Sequence, residues 1–231
     1  GLDIAATYIP CFDVGGDFYD FIELGGSSIS IAVADVIGKG LPAAIMMSSF
    51  RGTLRAYADG GHERHPLQEI IARLNRTACR ECVGGEFITL FYGVIDIETM
   101  SLIYCNCGHE PGVIFRDGRI IELDKGGLVL GVVPDAEYEI ADVPLKDGDC
   151  LMFFTDGLID AANFEGDLWG RARMIAAASH SLSGSSTQTM NSILNYRRRF
   201  VGLASQYDDT SLIIIKVDRS AEPAFLKKGV Q

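Results

Sequence analysis

Residues 14–40 read V-G-G-D-F-Y-D-F-I-E-L-G-G-S-S-I-S-I-A-V-A-D-V-I-G-K-G, and the parsing of this stretch decides the fold. Ile29-Ser30-Ile31-Ala32-Val33-Ala34 alternates well enough to be a strand, and the run ends at Asp35. Gly38-Lys39-Gly40 follows, and Leu41-Pro42-Ala43-Ala44-Ile45-Met46-Met47 opens a helix with proline in its first turn. Upstream, Asp17 stands after the Gly15-Gly16 pair, and Gly25-Gly26-Ser27-Ser28 reads as a hairpin turn. Two carboxylates are therefore expected at the ends of adjacent strands, each beside glycines that let backbone approach a ligand. Hard cations are bound by such fixed, lightly covered oxygens. Two further acidic places lie far downstream, at Thr155-Asp156-Gly157 and Asp208-Asp209-Thr210.

Working outward, residues 3–24 read as two strands around a turn at Val14-Gly15-Gly16. Residues 41–58 form an apolar-rich amphipathic helix, Asp59-Gly60-Gly61-His62 breaks it, and Pro66 begins a second helix reaching residue 82. Strands are expected at 87–96, 101–106, 112–116 and 119–123, the last two joined by the two-residue turn Asp117-Gly118. More strands are expected at 138–143, 149–154 and 211–217, with helices at 168–178 and 187–200 before the final one. The second of these helices ends in Arg197-Arg198-Arg199, read as a solvated end favourable to the helix dipole. Strands and helices come in blocks rather than in β-α-β alternation. The fold class is α+β with mainly antiparallel sheet, in two layers with helices outside. Residues 219–231 carry no periodicity and are expected to be loosely ordered, leaving 1–218 as one domain.

Composition narrows the function. A net charge of −11 argues against a nucleic-acid or anionic-membrane partner. No apolar run approaches the roughly 20 residues of a membrane helix, and a cytoplasmic location is expected. The start at Gly1, directly before strand-like sequence, leads to the expectation of an excised fragment. Cys79-x-x-Cys82 and Cys105-x-Cys107 raise a zinc site, but the first pair sits in a helical pattern without the turns of a zinc knuckle. Buried reduced thiols are the better reading.

Magnesium or manganese is held by a few carboxylates with waters retained, and two such ions about 3.5–4 Å apart can share one carboxylate and activate a water. In-line attack on phosphorus then needs no serine or cysteine nucleophile. The chain correspondingly shows no G-x-S-x-G elbow and no P-loop. Any single Asp-Gly is usually a turn; the set of four acidic places in strand-end settings carries the reading.

The motifs V-G-G-D-F-Y-D, A-D-V-I-G-K-G-L-P-A-A, F-I-T-L-F-Y-G-V-I-D, Y-C-N-C-G-H-E-P, L-V-L-G-V, L-K-D-G-D, F-F-T-D-G-L-I-D-A and Y-D-D-T-S-L occur in this order. Together they closely resemble the bacterial metal-dependent PPM-type serine/threonine phosphatases of the RsbU/SpoIIE kind, over residues 2 to about 217. The resemblance implies a four-layer α-β-β-α sandwich with a binuclear Mn²⁺ or Mg²⁺ site. It implies that Asp35 bridges two ions, that the Val36 carbonyl binds one, and that Asp156 and Asp208 complete the set. Asp17 would lie in or just behind that set, and Asp209 would be a supporting or third-ion residue. The implied reaction is hydrolysis of phosphoserine or phosphothreonine on a partner protein, typically an anti-sigma factor antagonist in a partner-switching pathway. An N-terminal sensory module belongs to the usual layout, and a homodimer is compatible with it.

Two departures from eukaryotic type 2C relatives stand out. Their histidine two residues after the bridging aspartate is Ile37 here, and their phosphate-binding arginine has no counterpart. His109, in Gly108-His109-Glu110-Pro111, is an outside candidate for the leaving-group proton, and better read as a hydrogen-bond anchor. Lys39 attracts phosphate or is simply an exposed turn residue. The alternative function, a catalytically silent phosphoprotein-binding domain of the same fold, is disfavoured because every matched acid is present.

Overall fold

The structure is a computed structural model, and it describes residues 1–59 and 66–218. The expected tail at 219–231 and the glycines of the 59–62 breaker lie outside the described residues. Eleven strands are described: β1 (Leu2–Ile9), β2 (Phe18–Glu23), β3 (Ser28–Val36), β4 (Ile88–Asp96), β5 (Ser101–Cys107), β6 (Gly112–Arg116), β7 (Arg119–Leu123), β8 (Gly126–Gly127), β9 (Ala141–Pro144), β10 (Cys150–Phe154) and β11 (Thr210–Val217). The helices are α1 (Leu41–Ala58), α2 (Leu67–Glu81), α3 (Gly170–Ser179) and α4 (Ser186–Val201).

The strands form two sheets, ordered β1-β11-β10-β6-β7 and β2-β3-β4-β5-β8, with β9 also on β5. Pairing is antiparallel throughout except between β5 and the two-residue β8. β3 shows why two layers form. Ile29, Ile31 and Val33 point to the other sheet, while Ala32, Ala34 and Val36 point to α1 and α2. Both faces are buried, so the strand is apolar on both, and the small alanines let helices pack closely over one side. Between the sheets, Phe91 stacks on Tyr104 at 5.3 Å and meets Phe153 of the opposite sheet at 4.7 Å. Leu67, Ile70, Ile71, Leu74 and Ala78 make the buried stripe of α2. On the far side, Met174, Ala177, Ala178 and Ile193 of α3 and α4 cover Met152, Phe154, Leu212 and Ile214. The result is the expected α-β-β-α sandwich.

α1 is tied to the sheet by charge as well. The Asp20 carboxylate on β2 is buried and accepts paired hydrogen bonds from Arg55 (2.6 and 2.5 Å) and Arg51 (3.0 and 3.3 Å). Burial alone would raise its pKa; the two guanidinium groups overturn that and leave it below the ordinary value.

Two expectations need correction. β1 and β2 are not a hairpin: they belong to different sheets, and residues 10–17 cross between them. The expected strand at 138–143 is the shorter β9, because Tyr138 turns instead into the core beneath α2. The thiols raised and disfavoured as a zinc set do not gather, among the described residues, within reach of one ion. Cys105 and Cys107 lie 3.8 Å apart under α2, Cys79 faces Asn75, and Cys82 faces Met46.

Candidate active site

Four strand ends meet at one end of the sandwich. β2 begins after Asp17 and β3 ends just past Asp35, antiparallel to it; β10 stops just before Asp156, and β11 begins after Asp209. The fold thus brings together all four acidic places separated in sequence. Asp17, Asp35, Asp156, Asp208 and Asp209 lie close enough for their charges to act on one another.

Each acid has its own mounting. Asp17 is buried and accepts from Thr155 Oγ1 at 2.5 Å and Ser211 Oγ at 3.3 Å, so it joins the start of one sheet to the ends of two strands of the other. Thr155 Oγ1 in turn accepts from Ser211 N at 2.8 Å. Asp35 sits opposite Thr89 in register. Asp156 opens a single 3-10 turn, its carbonyl accepting from Ile159 N and Asp160 N, both at 2.8 Å. Asp208 pairs with Lys39 Nζ at 2.8 Å, and Lys39 also donates to the Tyr207 carbonyl. Asp209 is buried and holds the crossover loop: Cys11 N and Gly16 N each donate to its carboxylate at 2.8 Å.

The glycine pair is needed here for space. A Cβ on Gly15 would overlap the Asp209 carboxylate, and one on Gly16 would come 2.6 Å from the Val36 carbonyl oxygen. The close approach anticipated for a ligand is first of all an approach to the protein's own oxygens. Gly16 leaves the Val36 carbonyl without side-chain cover on that side.

His109 has both ring nitrogens engaged. Nδ1 lies 2.8 Å from Thr89 Oγ1 on β4, and Nε2 lies 3.1 Å from the Phe154 carbonyl on β10. A carbonyl only accepts, so Nε2 carries the proton and Nδ1 accepts from Thr89. Its backbone is clasped by Asn106, and burial pulls its pKa down to about 4. His109 therefore bridges the two sheets as a neutral anchor, and its proton is committed to Phe154. Glu110, to which the sequence reading gave no role, lines with Asp35, Thr89, His109 and Asp156 a cavity of about 70 Å³. Burial raises its pKa, Arg171 at 3.5 Å opposes this, and Asp156 and Asp160 add to the rise. Its signal was its place beside His109.

Burial first, and crowding of like charge second, set the electrostatics. Asp17 is pushed up to about 9, by burial and then by Asp35; Asp35 is pushed up to about 7, by burial and then by Asp156 and Asp208. Asp156 is raised by burial and by Asp208. Among the described residues, Lys39 is the only cation in an ion pair with any of the five. Hard oxygen donors and an excess of negative charge suit small divalent ions, which would let these acids ionise together. Cys11 Sγ joins Asp208 and Asp209 within 4.8 Å and adds one softer donor at the rim.

The family model of Stage II sporulation protein E (SpoIIE) matches residues 25–218. The chain belongs to the SpoIIE family. A 169-residue stretch is 36% identical to phosphoserine phosphatase RsbU of Bacillus subtilis, covering 72% of this chain and 49% of that protein. Among solved structures, the SiaA-PP2C domain of Pseudomonas aeruginosa superposes with a TM-score of 0.82 at 20% identity, over 93% of this chain and 86% of that one. RsbX, solved in complex with magnesium, gives 0.68 at 19% identity over 93% and 94%. These two likenesses establish the fold as that of PP2C-type domains. The chain spans about half or less of the length of the first curated relatives it matches. Among the described residues, no helix is long and apolar enough to cross a membrane.

Proposed function

We propose that this domain hydrolyses phosphoserine or phosphothreonine on a partner protein, using two Mn²⁺ or Mg²⁺ ions held at the acidic end of the sandwich. The observation that carries this reading is the convergence of Asp17, Asp35, Asp156 and Asp208 beside the Val36 carbonyl, against which Gly16 packs without a side chain. The printed activity of RsbU supports the reaction class. Asp35, Asp156, Asp208 and the Val36 carbonyl would hold the ions. Bound there, they would activate a water and neutralise charge on the phosphoryl oxygens. Asp17, fixed by Thr155 and Ser211, would orient Asp35 from behind. Asp209 would act as the anchor of the crossover loop, since both its oxygens receive backbone N–H groups. Lys39 would leave Asp208 and face the substrate phosphate. The partner class proposed is an anti-sigma factor antagonist in a partner-switching pathway, with an N-terminal sensory module in the full-length protein.

The test is release of phosphate from a phosphoserine peptide with Mn²⁺, Mg²⁺ or EDTA, for wild type and Asp35→Asn. Turnover that needs the ion and drops at least about 100-fold in the variant is expected, since a bridging ligand supports both ions. Ion-independent turnover, or an Asp35→Asn variant as active as wild type, would refute it.

A further inference from the structure

We propose that Arg197 is a positioning residue: reaching in from α4, it clasps the Asp156 turn to the Asp208–Asp209 loop and so sets the spacing of the ion-holding carboxylates. This inference rests on the metal-site reading above. It starts from a departure from the sequence, where Arg197-Arg198-Arg199 reads as a solvated helix end. Arg198 and Arg199 are exposed, but Arg197 turns inward. Its Nη2 donates to the Gly157 carbonyl at 3.1 Å and to Thr210 Oγ1 at 3.2 Å. Gly157 directly follows Asp156, and Thr210 directly follows Asp209. One guanidinium therefore joins the two loops whose acids must act together.

Three further observations separate this from a chance contact. The two loops touch: a Cβ on Gly157 would overlap the Asp209 carbonyl and come 3.1 Å from Asp208 Cβ, so a small change in loop spacing changes the carboxylate set. A recess of about 600 Å³, lined by Gly157, Asp160, Arg197 and Asp208, borders the loops, so packed core does not hold them from that side. Finally, Arg197 makes no ion pair among the described residues, its Nε is buried without a partner, and burial lowers its pKa. A cation kept partly from water without a counter-charge is costly, and a solvent-facing rotamer at a helix end would avoid that cost. Both bonds leave from Nη2, whose two hydrogens the planar guanidinium holds in fixed directions, an arrangement that a freely rotating lysine ammonium would reproduce only in part.

The sign of the effect discriminates. Removing a cation near a carboxylate cluster would, by relief of Coulomb repulsion alone, tighten binding of a divalent ion. Removing a clasp loosens it. The experiment is calorimetric titration of Mn²⁺ into wild type, Arg197→Met, Arg197→Lys, Thr210→Val, the Arg197→Met/Thr210→Val double variant and the exposed control Arg199→Met. Urea unfolding in EDTA accompanies each titration. Arg197→Met is expected to weaken Mn²⁺ binding about 10-fold, the size seen when a group that orients a metal ligand is lost. Arg197→Lys recovers part of this, Arg199→Met matches wild type, and the double variant is no weaker than Arg197→Met alone. A merely structural arginine would lower the urea midpoint in EDTA and leave Mn²⁺ affinity within about twofold; that result, or tighter binding, overturns the proposal. Should Arg197→Met fail to fold, Thr210→Val decides: unchanged Mn²⁺ affinity there overturns it equally. A wild type that takes up no Mn²⁺ would instead overturn the metal-site reading, and the clasp with it.

Discussion

Gly15→Ala is the most informative single-atom perturbation of the site. The added Cβ would occupy the space of the Asp209 carboxylate, which must then move. Moving it breaks two hydrogen bonds, from Cys11 N to Oδ1 and from Gly16 N to Oδ2, each 2.8 Å long. A hydrogen bond to a charged group contributes about 1.5–3 kcal/mol, so losing both amounts to about 3–6 kcal/mol. Water entering at the loop recovers part, which leaves an expected destabilisation of about 3 kcal/mol. Gly52→Ala is the matched control, because Gly52 is exposed in the middle of α1 and a Cβ there meets nothing within 4 Å. That change should stabilise by about 0.5–1 kcal/mol through helix propensity. Urea unfolding in EDTA, where ion binding cannot mask the effect, reads both. If Gly15→Ala lies within about 0.5 kcal/mol of wild type, the account of Asp209 as the anchor of the crossover is wrong.

Two further outcomes follow from the same geometry. His109 has a folded pKa of about 4 against 6.5 in the unfolded chain. The unfolded chain therefore binds the proton first as pH falls, so the contribution of neutral His109 is complete above about pH 6.5 and is lost toward pH 4. The stability difference between wild type and His109→Gln should narrow by about 3 kcal/mol between pH 7 and pH 4; parallel curves would show that the imidazole is not buried neutral. Lys39→Met removes the competitor for Asp208, a pair whose side chains are 42% and 39% exposed. Such a pair is weak, so Mn²⁺ binding by calorimetry should tighten only a few-fold; weaker binding would mean that Lys39 supports the site rather than competes for it.

The sequence displayed most of the scaffold because local chemistry and global packing agree there. α1 runs from Leu41 to Ala58 as its pattern indicates, and Asp117-Gly118 makes the tight turn with positive φ at both residues, 49° and 72°. The acids were legible because each stands at a strand end. What stayed hidden depends on partners far along the chain. The Gly15-Gly16 turn looked like a hairpin because its true partner, the Asp209 carboxylate, lies almost two hundred residues away. β8 is two glycines at a sheet edge, with no side chain to give a pattern. Thr155 and Ser211, which fix Asp17, and Arg197, which joins two loops, have no local periodicity that reports a role. Their meaning arises only when the strand ends converge.

On the proposed reading, the convergent carboxylates form one binuclear centre around Asp35. Anomalous X-ray scattering from crystals soaked in Mn²⁺ tests it most directly, read for wild type and Asp35→Asn. Two manganese peaks sharing Asp35 are expected, one also on Asp156 and Asp208 and the other on the Val36 carbonyl, with at least one lost in the variant. No manganese at Asp35, or a single peak confined to Cys11, Asp208 and Asp209, would contradict it.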